Sequence, residues 1–376
     1  MVLFIAKRGQ HNIGAKTHIQ ALREIYGSEN VYEVDLFSKD SKETDHYISF
    51  GNDLRSISKR AQRYFQGNVP MISNQIIKKI CSIIAEKNVS LVFTEESDLG
   101  NLYKEIKQRF SGVRIICFFH DILADLFAQR LKSVPFWKLH YILELKRGIS
   151  QEKVTTRYVD ECWTFHQKDS MRFKERYNVN SGTIIPLSSF VPSLQNISKE
   201  VVPSESEKII LFVCSSYFVN IDGFRWFYQN VLPHLKKNYK LLLVGSGSDI
   251  FNKLNKEYNM EVVGRVDSLE EYYINADIVI APVFDGGGMK VKTLEALSYG
   301  KCIVSTSESL NGFWEKTPSA LQNKLIFRCN TSDEWINACN SLLQDNICKF
   351  NNEIYDLFAE HFSYECMLEQ FRQALA

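Results

Sequence analysis

No segment of this chain is apolar for long enough to cross a membrane. The most hydrophobic segments, Val113–Phe119 and Ile209–Cys214, fall far short of the ~18–20 residues a spanning helix needs. No signal peptide is expected either: Met1–Ala6 is a short apolar stretch before Lys7 and Arg8, and it reads as a first strand. The nine cysteines are an odd number and form no Cys-x-x-Cys pair. Cys117 and Cys214 have apolar neighbours, so reduced core thiols, no zinc site and a cytosolic protein are expected. Net charge is nearly absent, with 45 Lys+Arg against 44 Asp+Glu, and no nucleic-acid partner is expected.

What is present is an ordinary globular composition, 45% hydrophobic and 24% charged over 376 residues, enough for two domains. The charge is unevenly spread. Residues 1–190 carry 28 Lys+Arg and 21 Asp+Glu, a net +7, and the remainder is net −6. A basic first half suggests an anionic surface or ligand, or simply a solvated basic face.

Short apolar runs alternate with amphipathic stretches. In the first half, runs at Val2–Ala6, Val31–Phe37, Val89–Thr94, Val113–Phe119, Cys162–Phe165 and Thr183–Pro186 flank helical patterns such as Lys16–Tyr26, Ile76–Lys87 and Leu102–Phe110. Residues 187–208, with two prolines and several serines, break the pattern and read as a linker. The alternation then restarts with strands at Ile209–Cys214, Lys240–Val244, Met260–Val263, Ile278–Ala281, Cys302–Ser305 and Lys324–Phe327. Helices are predicted at Gly223–Leu235, Ser268–Ile274, Val291–Tyr299 and Ser332–Leu343, and over Asn351–Leu375 with a bend near Phe362. The fold class is therefore α/β: two tandem doubly wound Rossmann-like domains with a cleft between them. The expected boundaries are a first domain at 1–190, a linker at 191–208 and a second domain at 209–354.

The most informative segment runs from Ala281 to Thr306. A buried strand ends at Pro282, three glycines (Gly286, Gly287, Gly288) form a loop, and a helix follows and closes at Gly300. Glycine lets a backbone approach a ligand closely, and a helix start offers unpaired N–H groups. Lys290 and Lys292 put two cations where the helix dipole disfavours them, which makes sense if an anion sits there. Glu295, about one and a half turns into the helix, can accept two hydrogen bonds from a vicinal diol such as a ribose.

This segment resembles the donor-site signature of GT-B glycosyltransferases, in particular glycosyltransferase family 4. Other pieces agree in order: Phe212 to Asn220 with Trp226 and Val231 to Pro233, Leu242 to Gly247, Val263 to Val266 with Tyr272 and Asp277, and the ending His361 to Glu365. The resemblance implies a donor-binding set of Gly14, Ser215, Ser216, Asn220, Gly245, Arg265, Gly286, Gly287, Gly288, Met289, Lys290, Val291 and Glu295. It implies catalytic roles for His120, Lys290 and Glu295, and a closing helix, about 355–376, that crosses back onto the first domain. Two departures stand out. Gly287 occupies the place of the first of two family glutamates spaced eight apart. Ser215 and Asn220 stand where the family often has Arg and Lys to hold the diphosphate, so Lys290 or Lys292 is expected to supply that cation.

In the first domain, Gly14 and Ala15 follow the first strand, where the family's loop approaches the donor sugar. His120 ends a buried strand, and a family histidine at this kind of position faces the sugar near the reacting carbon. His166 ends another strand and is expected to be structural. Arg55, Lys59, Arg60 and Arg63 fall on one helical face, and 130–147 mixes basic residues with Phe136, Trp137 and Tyr141. Both are read either as solvated faces or as contacts with a membrane carrying a lipid-linked acceptor.

The expected reaction moves a sugar from a nucleotide diphosphate, with uridine or guanosine as the base, to a hydroxyl of a glycan, lipid-linked or protein acceptor. It needs no cofactor or metal: the helix start and a lysine stabilise the charge that grows on the β-phosphate. The sequence contains no Asp-x-Asp, which argues against the metal-dependent alternative. Retention of configuration, a role in bacterial surface glycan assembly and a cytoplasmic or inner-membrane-peripheral location follow from the resemblance. The alternatives are a nucleotide-sugar epimerase or hydrolase, and a non-catalytic nucleotide- or partner-binding protein. A dinucleotide dehydrogenase is disfavoured because Gly245-Ser-Gly247 lacks the third glycine and the spaced acidic residue.

Overall fold

A computed structural model describes residues 1–7, 13–38, 41–51, 56–133, 139–193, 200–236, 238–254 and 258–376. The loop residues 8–12, together with Arg55, Phe136 and Trp137 singled out above, lie outside the described residues. Contacts divide the chain into two units, Met1–Pro186 with Leu368–Ala376, and Leu187–Met367.

The first unit contains β1 (Val2–Ala6), α1 (Ile13–Tyr26), β2 (Val31–Ser38), β3 (Lys42–Thr44), β4 (Tyr47–Gly51), α2 (Ile57–Phe65), α3 (Asn74–Glu86), β5 (Leu91–Thr94), α4 (Gly100–Arg109), β6 (Arg114–Phe119), α5 (Leu123–Ser133), α6 (Leu139–Tyr158), β7 (Glu161–Thr164), α7 (Gln167–Tyr177) and β8 (Thr183–Ile184). Its sheet order is β3-β4-β2-β1-β5-β6-β7-β8, parallel except for the β3–β4 edge pair. β1 is buried throughout, as a parallel strand covered on both faces must be.

The second unit contains β9 (Val201–Val202), β10 (Lys208–Val213), α8 (Phe218–Asn230), β11 (Tyr239–Val244), β12 (Met260–Gly264), α9 (Glu270–Asn275), β13 (Ile278–Ala281), α10 (Val291–Ser298), β14 (Cys302–Ser305), β15 (Ile326–Arg328), α11 (Ser332–Gln344), β16 (Ile347–Cys348) and α12 (Asn352–His361). A last helix, α13 (Tyr364–Leu375), begins here and ends in the first unit. The main sheet, ordered β12-β11-β10-β13-β14-β15, is wholly parallel. That is the doubly wound order 3-2-1-4-5-6. Its core gathers Phe212, Phe224, Phe251 and Trp335, and the Trp335 indole donates to Cys329 O at 3.0 Å.

Three sequence expectations need correction. The helix read at Gly223–Leu235 is α8, which begins five residues earlier, at Phe218, and ends at Asn230. Pro233 lacks the amide hydrogen needed to continue the α-helix, so a short 3₁₀ turn, Leu232–His234, follows instead. Gly223 is thus a mid-helix residue, and packing explains it: a Cβ there would fall 1.7 Å from Pro282 O. The stretch read as a linker holds β9, which pairs antiparallel with β16, a bridge too short to leave a periodic signal. The strand read at Lys324–Phe327 is β15, which starts two residues later and ends one later because 318–325 is wound into turns.

Candidate functional site

In a doubly wound sheet, strand order reverses at the switch point, and the loops leaving the two central strands diverge to open a crevice. In the second unit that point lies between β10 and β13. The loop after β10 carries Ser215 and Ser216. The loop after β13 carries the three glycines and leads into α10. Gly286 (φ 117°) and Gly288 (φ 58°) both adopt left-handed backbone conformations that a side chain would strain. α10 starts at Val291 with Lys290 at its N-cap, and no side chain caps it, so its first amides have no acceptor from that source.

The two lysines behave differently. The Lys290 ammonium folds back to donate to Gly287 O at 2.8 Å and Gly288 O at 3.3 Å, and pairs with Glu308 Oε1 at 3.1 Å. Glu308 in turn accepts from Asn311 Nδ2 at 2.7 Å. Lys290 therefore braces the glycine loop. Lys292 points the other way: Nζ donates to Asn220 Oδ1 and sits 4.8 Å from the centre of the Phe212 ring. Asn220 Nδ2 donates to Ser215 Oγ at 2.7 Å, so a chain Ser215–Asn220–Lys292 ties the loop after β10 to the first turns of α8 and α10. Burial pushes the Lys292 ammonium down to about 8, and no carboxylate among the described residues lies within ion-pair distance of it.

Glu295 accepts from Tyr273 Oη at 2.8 Å through one oxygen, and burial raises its carboxyl. Tyr273 is stacked on Tyr299 at 5.2 Å. Thr293 donates to Ser309 O at 2.9 Å and anchors α10. Met289 is buried, its Sδ accepting the Leu187 amide at 3.2 Å beside Gly312, where a Cβ would fall 2.8 Å from that sulfur. Gly245 and Gly247 have a packing role, since Cβ atoms there would lie 2.3 Å from Cys214 O and from the Ser215 carbonyl carbon. They let the loop after β11 press against the loop bearing Ser215. Arg265 is exposed just beyond β12. Tyr273 and Glu308 were missed by sequence reasoning, because each reaches the site from a different element.

The first unit has its own switch point, between β1 and β5. Glu95, directly after β5, is buried and accepts from two histidines: His18 Nδ1 of α1 at 2.9 Å and His120 Nε2 after β6. Burial favours the neutral carboxyl, but the two imidazoles outweigh it and hold Glu95 down at about 2. Burial works against the His120 imidazolium, and Glu95 outweighs it, so the net shift is upward. Lys7 Nζ pairs with Glu96 at 2.7 Å and Asp98 at 2.6 Å. Gly14 is buried in the first turn of α1. His166 caps α7, accepting from Asp169 N at 3.3 Å, the structural role expected of it. His18 and Glu95 escaped sequence reasoning; the signal was a glutamate immediately after a buried strand. On α2, Arg60 pairs with Glu144 and buried Arg63 donates to Pro70 O, so of the described basic residues expected on that face only Lys59 is exposed.

Among the described residues no three or more His, Cys, Asp or Glu side chains are grouped to hold a metal ion, and no helix is long and apolar enough to cross a membrane.

Residues 207–345 match the family model described as Glycosyl transferases group 1. No curated protein matches by sequence. Among solved structures, the chain is similar to Anabaena HepE in complex with UDP-glucose (12% identity, 100% of this chain and 98% of that one, TM-score 0.62). It is also similar to the lipopolysaccharide outer core galactosyltransferase WaaB (11%, 100% and 98%, 0.64). A third such structure is a UDP-forming α,α-trehalose-phosphate synthase from Burkholderia xenovorans (11%, 100% and 99%, 0.62). The fold is GT-B, with two Rossmann-like units, and the second unit carries the group 1 glycosyl transferase match around the switch point described above.

Proposed function

We propose that this protein transfers a hexosyl group from a nucleotide diphosphate sugar to an acceptor hydroxyl, without a metal ion and with retention of configuration. The observation that carries the reading is the pair of divergent loops at the β10/β13 switch point, where the uncapped start of α10 and the Lys292 ammonium converge on one place. As the bond from sugar C1 to the β-phosphate oxygen breaks, its electron pair stays on the phosphate. The acceptor oxygen bonds C1 and its proton leaves with the diphosphate. First-turn amides and Lys292 stabilise the charge growing on the phosphate. The free carboxylate oxygen of Glu295 suits a ribose diol. Retention rests on the likeness to family 4, and uridine is the proposed base because complexes of HepE hold UDP and UDP-glucose.

A lipid-linked acceptor of surface glycan assembly, met at the inner face of a membrane, is the acceptor class we propose. α2 and α6 line a cavity of about 490 Å³ with Ile57, Ala61, Tyr64, Phe65 and Leu143. Ile57 and Phe65 are 81% and 85% exposed, an apolar patch that calls for a cover. Two of the neighbouring polar groups are satisfied internally, Arg60 by Glu144 and Arg147 by Tyr64 O. That leaves little for a peptide backbone to pair with and favours a hydrocarbon chain, while the unit's basic excess suits an anionic head group. Phe65→Glu is expected to lower co-sedimentation with anionic vesicles about tenfold; unchanged co-sedimentation removes this acceptor class.

The test of the transferase reading is a panel of UDP- and GDP-sugars, with released nucleotide measured. Slow release with one sugar supports it. Binding without release favours a non-catalytic nucleotide-binding protein, and absence of both overturns the donor site.

A further inference from the structure

We propose that Glu95 is a positioning residue for the reaction above. By gripping His18 Nδ1 with one carboxylate oxygen and His120 Nε2 with the other, it fixes the His120 ring so that Nδ1 faces outward as a hydrogen-bond donor to a reactant hydroxyl or phosphate. This rests on the transferase reading, but the geometry stands without it.

The three residues come from different elements, α1, the end of β5 and the end of β6, and meet at the first unit's switch point. The two contacts are His18 Nδ1 to Glu95 Oε1 at 2.9 Å and His120 Nε2 to Glu95 Oε2. His18 is wholly buried, and its Nε2 has no partner among the described residues. The rings of Phe118 at 4.6 Å, Phe371 at 5.0 Å and Phe93 at 6.0 Å enclose it. A proton on that nitrogen would be stranded, so the proton of His18 sits on Nδ1 and is donated to Glu95. The positive charge that offsets the buried carboxylate therefore belongs on His120, whose side chain keeps 21% exposure.

Among the described residues, the charged groups that act most on His120 favour that state. Glu95 contacts it, Asp121 follows it in sequence, and Glu96 acts on it through its charge. Phe118 at 5.3 Å and Phe165 at 5.1 Å hold the ring from β6 and the end of β7, and His18 lies 6.3 Å away. An imidazolium locked through Nε2 can only donate through Nδ1, so His120 serves as a donor and not as a base. A carboxylate between two imidazoles is also why a glutamate is tolerated in a buried position.

The test combines histidine NMR titration with a pH–rate profile on the full chain. Wild-type His120 is expected to titrate above its ordinary value of 6.5. In Glu95→Gln it falls to that value or below, kcat drops about tenfold or more, and donor KM stays within about threefold. The alkaline limb of the rate profile moves to lower pH in step with the titration. Glu95→Asp, which keeps the charge on a shorter arm, retains the raised titration while kcat stays depressed. A merely structural Glu95 would lower stability and leave the His120 titration and the alkaline limb where they are; that result overturns the proposal. If the wild type turns over no nucleotide sugar, the transferase reading fails while the titration still decides whether Glu95 holds His120 charged.

Discussion

At the scale of single residues, Lys292 is the group proposed above to hold the diphosphate. An ammonium held over Phe212 and bonded, among the described residues, only to an amide oxygen costs stability, and on this proposal that cost is recovered when an anion arrives. Lys292→Met should therefore raise Tm in the absence of ligand while weakening UDP binding about 10–100-fold, the range of one charge-assisted hydrogen bond. Binding of uridine should be unchanged. A variant that loses both stability and affinity would mean that Lys292 is structural. Lys290→Met is expected to act differently, loosening the glycine loop it braces and so lowering Tm. Much of this site could be read in the sequence, because Gly286 to Glu295 are consecutive and their order alone signals a loop opening a helix. The division of labour between the two lysines could not. It depends on Glu308, 18 positions from Lys290, and on Asn220, 72 positions from Lys292, and no local pattern links residues so far apart. His18 and Glu95, 77 positions apart, were hidden for the same reason.

At the scale of elements, the second site depends on how closely α8 lies against the strand that delivers the glycine loop. Gly223→Ala would drive a methyl group into Pro282 O, so a shift of backbone is unavoidable. A loss of about 1–3 kcal/mol in urea unfolding is expected, with weaker UDP binding, since Pro282 opens the loop that ends at Lys290. The control lies on α11, where Thr331 and Glu334 form a capping box away from both switch points. Thr331→Ala should cost about 1 kcal/mol and leave UDP affinity unchanged. Most of the parallel strands were legible because they are short and mainly apolar, although β2 carries Glu33 and Asp35 and β4 was not read. Helix starts were less so: α8 was read from Gly223, a glycine that close packing against Pro282 accounts for. The β3–β4 edge pair gave no signal, as β3 is exposed along its length and lacks a buried face to impose alternation.

At the scale of the whole molecule, the two units differ in charge. The first holds 29 Lys+Arg against 22 Asp+Glu and the second is net −6. The acidic unit is the one proposed to bind a diphosphate, so affinity must come from local amides and one desolvated ammonium. Binding should then respond weakly to salt between 0.05 and 0.5 M, in contrast to an exposed basic patch (Debye length ~10 Å at 0.1 M). Stability has its own pH signature. Burial pushes Glu152 up to about 7 from 4.5, with Tyr177 Oη and the Leu123 amide as its donors. A raised carboxyl stabilises the fold below pH 4.5 and loses that contribution as pH climbs through 7. Glu152→Gln should thus overtake the wild type by about 1–3 kcal/mol at pH 8, the gap closing towards pH 5, as read from urea unfolding across that range.

The most direct measurement is calorimetric titration of UDP into the wild type and Lys292→Met from pH 6.5 to 9.5. If the ammonium near pKa 8 grips the diphosphate, wild-type binding takes up protons around pH 8 and weakens above it, and the variant shows neither effect. Equal affinities and equal proton uptake in the two proteins would contradict the account.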